Sequence, residues 1–236
     1  MPICKHGRRE VRRDRLASWH FHNHISLRLQ ASLGIPHEQR GAFHLGCFAP
    51  DFVGRPADKI GTHFTVDIGI VPFWPFSLCR FRHWSDRYAA LSLRHRWFYH
   101  GYAVHLLMDR CWIRGCAYPF LAKRLFSGIA SQATFSAYYS DMLAYDSYHR
   151  HLTGQDSYDV SLDMLRRLDA ADLLPPSLTP TKIADLIGVL ERTKGSTTPD
   201  YEAKYIPWRR VARFLHRSLA VSERYLRQTT FNETPE

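Results

Sequence analysis

Apolar residues fall in proline-free stretches separated by Pro-rich loops, and most of these stretches read as helices. Residues 27, 29, 31 and 33 are apolar within a polar-flanked stretch that Gly34-Ile-Pro36 stops, which predicts a helix over 19–32. Residues 82–112 contain no proline and one glycine, and Leu91, Trp97, Phe98, Val104, Leu107, Met108 and Cys111 fit one or two helices. A second proline-free stretch covers 120–152. Residues 157–174 and 181–193 are amphipathic, with a Pro-rich turn between them. Residues 207–227 form the closing helix, with Val211, Phe214, Leu215, Leu219 and Val221 as its apolar stripe. No β-alternation extends beyond a few residues and nothing repeats. The expectation is an all-α fold in one multi-helix domain over 17–228, with a basic tail at 1–16 and a polar tail at 229–236.

Residues 43–48 read as a short apolar segment ending in Ala-Pro-Asp. After them, 49–77 hold four prolines and three glycines, a long loop of the kind that usually carries function. No run approaches the ~20 apolar residues of a membrane span.

Charge changes the picture by favouring anionic partners. Lys and Arg number 32 against 22 acids, a formal charge of +10, which suits nucleic acid, phosphate esters or an acidic membrane surface. Part of the excess lies between Lys5 and Arg15, which no apolar segment follows, so it does not read as a secretory signal and a cytoplasmic location, peripheral to membrane at most, is expected. The five cysteines form no C-x-x-C pair and read as small buried hydrophobes. The 14 histidines point instead to a nitrogen and carboxylate metal site, of the kind that suits catalytic zinc, manganese or iron.

His105 and Asp109 stand four apart in an apolar setting, so on a helix they share one side. The plain alternative is a His–Asp hydrogen bond that orients the helix. Asp51 follows Ala-Pro at the end of an apolar segment, where a rigid turn would fix its carboxylate or use it as a helix cap. His63 sits among small and apolar residues of the long loop. Two carboxylates and two imidazoles make a partly open site suited to activating water.

Four motifs in this order, Trp19-x-x-His22, Phe43-His-Leu-Gly-x-x-Ala-Pro-Asp51, Lys59-x-x-Thr-His63-Phe and Gly101-Tyr-x-Val-His105-Leu-x-x-Asp109-x-x-Trp112, resemble the bacterial zinc-dependent phospholipase C family and the single-strand nucleases of the same helical fold. The likeness covers 19–146. It implies an all-α fold with one to three zinc ions that hydrolyses phosphodiesters. By position it implies Asp51, His63, His105 and Asp109 as ligands of one site, with Asp109 also bridging to a second. It implies His22 as the N-terminal ligand there, with His20 and His24 as alternatives.

The chain departs from the pattern at three places. Trp19 is internal, so it has no free amine to offer a metal. The later helix carries Met142 through Asp146 where the family has His-x-x-x-acid, which leaves Asp146, with Asp141 or His149, as a weak remaining ligand. Gly115 and Cys116 stand where a further His is expected. Asp51 is assigned a double role, as ligand and as acceptor of the proton of a metal-bound water, with Lys59 and Arg110 steering the phosphate-ester substrate, phospholipid or nucleic acid. His149 and His151 read as surface or capping residues, His100 as turned away from His105, and the aromatic runs at 74–76, 97–99 and 138–139 as core. The competing class is a non-enzymatic basic helical module that binds nucleic acid or acidic membrane and keeps a degenerate metal site.

Overall fold

The computed structural model describes residues 19–51, 81, 85, 92–120, 122, 137–138, 140–142, 144–145, 156–168, 180–195 and 203–230. Among these there is no strand, and the fold is all-α, as the periodicity predicts. Helix α1 spans Trp19–Leu33 and α2 His37–Gly46. The central helix α3 covers Leu93–Trp112, followed by α4 (Asp156–Arg166), α5 (Pro180–Gly195) and α6 (Trp208–Thr230).

The end of α1 follows from two residues. Gly34 takes the left-handed conformation at φ 61°, and the Ile35 N–H donates to the Gln30 carbonyl at 3.2 Å. That bond satisfies a carbonyl the helix end would leave unpaired, while the Ile35 side chain is buried against the core. Pro36 then opens α2, whose N-cap has no side-chain bond. Helix α3 starts at Ser92, extended at φ −166°, whose Oγ accepts from the His95 N–H at 3.2 Å.

Helix α2 is the element the pattern did not foretell. Its second half lies in the apolar segment at 43–48, while the polar first half and two glycines, Gly41 and Gly46, carry no helical stripe. Gly46 is required by packing rather than by a turn. A Cβ there would lie 2.0 Å from the Phe98 carbonyl oxygen, and a Cβ on Gly101 would lie 2.0 Å from the Phe43 oxygen. The two helices therefore touch main chain to main chain, each glycine admitting the other's backbone.

Apolar burial forms two clusters on either side of α3. One joins α1, α3 and α6 through Phe21, Ile25, Val104, Met108, Phe214 and Leu226. The other joins α2, α3, α4 and α5 through Leu45, Phe98, Leu106, Tyr158, Leu162 and Leu186. Trp97, Phe98, Tyr99 and Tyr138 are buried within these clusters, as expected for core aromatics. After Trp112 the central helix widens into a π-turn, Ile113–Ala117. Cys47, Cys111 and Cys116 are unbridged and buried, in keeping with their reading as small hydrophobes. No helix among the described residues is long and apolar enough to cross a membrane.

Candidate metal centre

The close approach of α2 and α3 brings the C-cap of one against the middle of the other. The Cys47 carbonyl, just past the end of α2, accepts from His105 Nδ1 at 2.8 Å. A carbonyl can only accept, so Nδ1 donates and Nε2 is the nitrogen left to face the cluster. That nitrogen faces Asp109 Oδ2 at 3.4 Å, one turn further along α3. The i, i+4 spacing therefore places the pair on one side of the helix, as read from the sequence.

His22 enters from α1. Its ring stacks on His105 with centroids 4.0 Å apart and planes 7° from parallel, and its Nε2 lies 3.6 Å from Asp109 Oδ1. Each carboxylate oxygen thus faces one imidazole. His22, His105 and Asp109 each offer a ligand atom within 4.8 Å of the other two. Both imidazoles are buried, whereas the Asp109 side chain is 26% exposed, so the cluster opens toward solvent at the carboxylate.

Burial pushes the His22 pKa below 6.5, and the neighbouring His105 pushes it further in the same direction, against the pull of Asp109 and Asp51. His22 Nδ1 has no hydrogen-bond partner, and Nε2 has only the long approach to Asp109 at 3.6 Å. A buried imidazole left in that state is uncommon in native proteins and calls for an explanation. At His105 the same carboxylate lies 3.4 Å from Nε2. The spacing suits a cation. Two ligands held ~2.0–2.1 Å from one tetrahedral zinc lie about 3.3 Å apart.

Asp51 ends a single 3-10 turn, Ala49–Asp51, and is buried. Its charge reaches His22 and also Tyr102, whose hydroxyl is raised mainly by burial and then by Tyr99 and Asp51. It stands beside the three-residue cluster rather than within it. Arg110 follows Asp109 on α3 and is half-buried, with its charge bearing on Cys111. His63, Lys59, Asp146 and His149 lie outside the described residues.

Two of the alternatives left open by spacing have other partners. His20 Nε2 meets the Tyr158 hydroxyl at 3.1 Å, which ties α1 to α4. Asp141 is buried and accepts three backbone N–H groups, from Lys204 at 2.9 Å, Tyr205 at 2.6 Å and Ile206 at 2.6 Å. That carboxylate anchors the turn leading into α6. His100 is away from the cluster, edge-on to Trp97 and Tyr225.

A further buried pair joins α1 to α2 below the cluster. Ser26 Oγ lies 2.8 Å from His44 Nδ1, and Gln30 Nε2 donates to the same hydroxyl at 3.1 Å. Burial pushes the His44 pKa down to about 3 and the Cys47 thiol up to about 12. The only sequence signal for this pair is a polar residue, Ser26, within an apolar stripe. No protein-family model, curated protein or solved structure matches the chain.

Proposed function

We propose that the chain is a metal-dependent hydrolase of phosphate esters, with zinc at His22, His105 and Asp109. The observation that carries the reading is the convergence of His22, His105 and Asp109, with the Cys47 carbonyl fixing His105 Nε2 toward the carboxylate. Two imidazole nitrogens and a carboxylate leave room for water, the open coordination of catalytic rather than structural sites. Asp109 turns one oxygen to each ring, which suits a carboxylate shared between two ions as well as one bound to a single ion. The resemblance of the motif order to zinc-dependent phospholipases C supports a phosphodiester as the substrate class.

When bound, the metal supplies a water acidic enough to act as a nucleophile near neutral pH, together with charge to stabilise the phosphoryl oxygens. His105 holds its donor nitrogen in place through Cys47, so the site is oriented in advance. Asp51, beside His22, accepts the proton released as water attacks phosphorus. Arg110 and Lys59 attract the anionic substrate. Unbridged thiols at Cys47, Cys111 and Cys116 suit a reducing compartment such as the cytoplasm.

Elemental analysis of the purified chain, paired with turnover of bis(4-nitrophenyl) phosphate before and after chelation, tests this reading. Stoichiometric zinc and turnover that chelation abolishes and zinc restores are expected. Iron in place of zinc would redirect the same three donors to oxygen chemistry, and protein purified without metal and inert when zinc is added would refute the hydrolase.

A further inference from the structure

The outer face of α6 has no counterpart in the metal chemistry. The helix carries six arginines, no lysine and one acid, Glu223. Arg210 turns inward, its guanidinium donating to the Gly115 carbonyl at 3.3 Å. Arg209, Arg213, Arg217, Arg224 and Arg227 are exposed. At 100° per residue they fall within an arc of roughly 80°, and they extend over about 27 Å of helix at ~1.5 Å per residue. Glu223 pairs with Arg227 at 2.7 Å, so the other four are not neutralised from their own helix.

The charge continues onto the neighbouring element. The Arg210 bond holds α6 against the π-turn, and the charges of Arg217, Arg110 and Arg114 all bear on the one thiol of Cys111. Arg114 is exposed. The stripe on α6 thereby joins a second group of arginines beside Asp109. At the N-terminal end of α6, Tyr205 and Trp208 remain 42% and 38% exposed.

We propose that the outer face of α6 binds the phosphate backbone of single-stranded nucleic acid, independently of sequence. Guanidinium groups match phosphate oxygens in a bidentate fork that lysine does not offer, and this helix carries arginines and no lysine. A row of positive charge with exposed aromatics at one end is the arrangement that tracks a strand and stacks its bases. An acidic bilayer fits less well. Surface helices hold a membrane by burying an apolar face in it, and here Val211, Phe214 and Leu226 are already buried in the core. The proposal does not depend on the metal site.

The test uses the full chain and a fluorescent phosphorothioate single strand of ~20 nucleotides, which keeps the backbone charge while resisting hydrolysis. Anisotropy over a salt series is compared for the native chain, Arg213→Glu with Arg224→Glu, and a control of equal charge change, Arg28→Glu with Arg166→Glu, on α1 and α4. The α6 variant is expected to bind roughly tenfold more weakly or worse, with a shallower salt slope by about one or more. The control should lose much less. Arg213→Gln with Arg224→Gln should move in the same direction by a smaller step, which guards against misfolding of the reversed variant. Equal losses in the α6 variant and the control would overturn the proposal. So would loss of association with phosphatidylserine vesicles while oligonucleotide affinity is unchanged, which would assign the face to a membrane.

Discussion

The imidazoles of His22 and His105 lie ring on ring, 4.0 Å between centroids, with both Nε2 atoms directed at one carboxylate. Two rings in this position cannot both be cationic at small cost, and His105 disfavours a proton on His22. One charge placed between the rings and Asp109 relieves both, and a divalent ion does so without a buried imidazolium.

Replacing Asp109 by Asn keeps the shape and removes the charge that faces both rings. The expected outcome is loss of at least one equivalent of metal and a fall in phosphodiester turnover of about 100-fold or more. Metal content and kcat on the same preparation check this. Full occupancy with unchanged turnover would remove Asp109 from the site.

Gly46→Ala and Gly101→Ala each put a methyl group into a carbonyl oxygen of the facing helix. Each should cost about 3 kcal/mol or more, because backbone rather than a side chain has to move. Gly115→Ala meets nothing within 4 Å and should change stability little. Urea unfolding of the three variants compares them directly, and equal midpoints would contradict the close crossing.

His44 and His100 are held neutral by burial, with pKa values lowered from 6.5 to about 3 and about 4. In the unfolded chain each takes up a proton below pH ~6.5 that the folded chain refuses. Their contribution is therefore complete above that pH and is lost as pH falls toward 4. At pH 5 the loss is about 2 kcal/mol for each. Urea midpoints measured from pH 7.5 to 4.5 should fall accordingly. His100→Phe, set among Trp97 and Tyr225, should flatten part of the decline. A profile identical to the native one would show that His100 is not the source.

Asp141→Asn tests the reading of that residue as an anchor. It removes the charge from a carboxylate that accepts three N–H groups, and should cost about 2 kcal/mol or more. Metal stoichiometry should be unaffected. A variant of native stability that loses metal would return Asp141 to the ligand set.

How much of this was legible follows from range. The His105–Asp109 pair is a property of one helix, and spacing alone places both side chains on one side. Choosing His22 over His20 and His24 needs to know which face of α1 meets α3, and spacing within α1 does not say. Motif order pointed to His22, and the structure puts it against His105. Asp141 read as a possible ligand because its true partners are N–H groups 63 to 65 residues away, which no side-chain pattern announces. Helix α2 is not legible from the apolar segment at 43–48, because Gly46 serves a contact with Phe98 and Tyr102, more than fifty residues further on. The aromatic run at 97–99 was readable because burial of large side chains is the ordinary outcome.

The crossing of Gly46 and Gly101 has a consequence for how the protein can vary. Where two helices are separated by side chains, each substitution in the gap resets their distance. Here the spacer is the polypeptide itself, whose thickness is the same in every sequence. Drift in the surrounding Phe, Leu and Met positions can loosen or tighten the core without moving the Cys47 carbonyl relative to His105. The tolerance is asymmetric: many positions are free to change, and two are confined to a single amino acid.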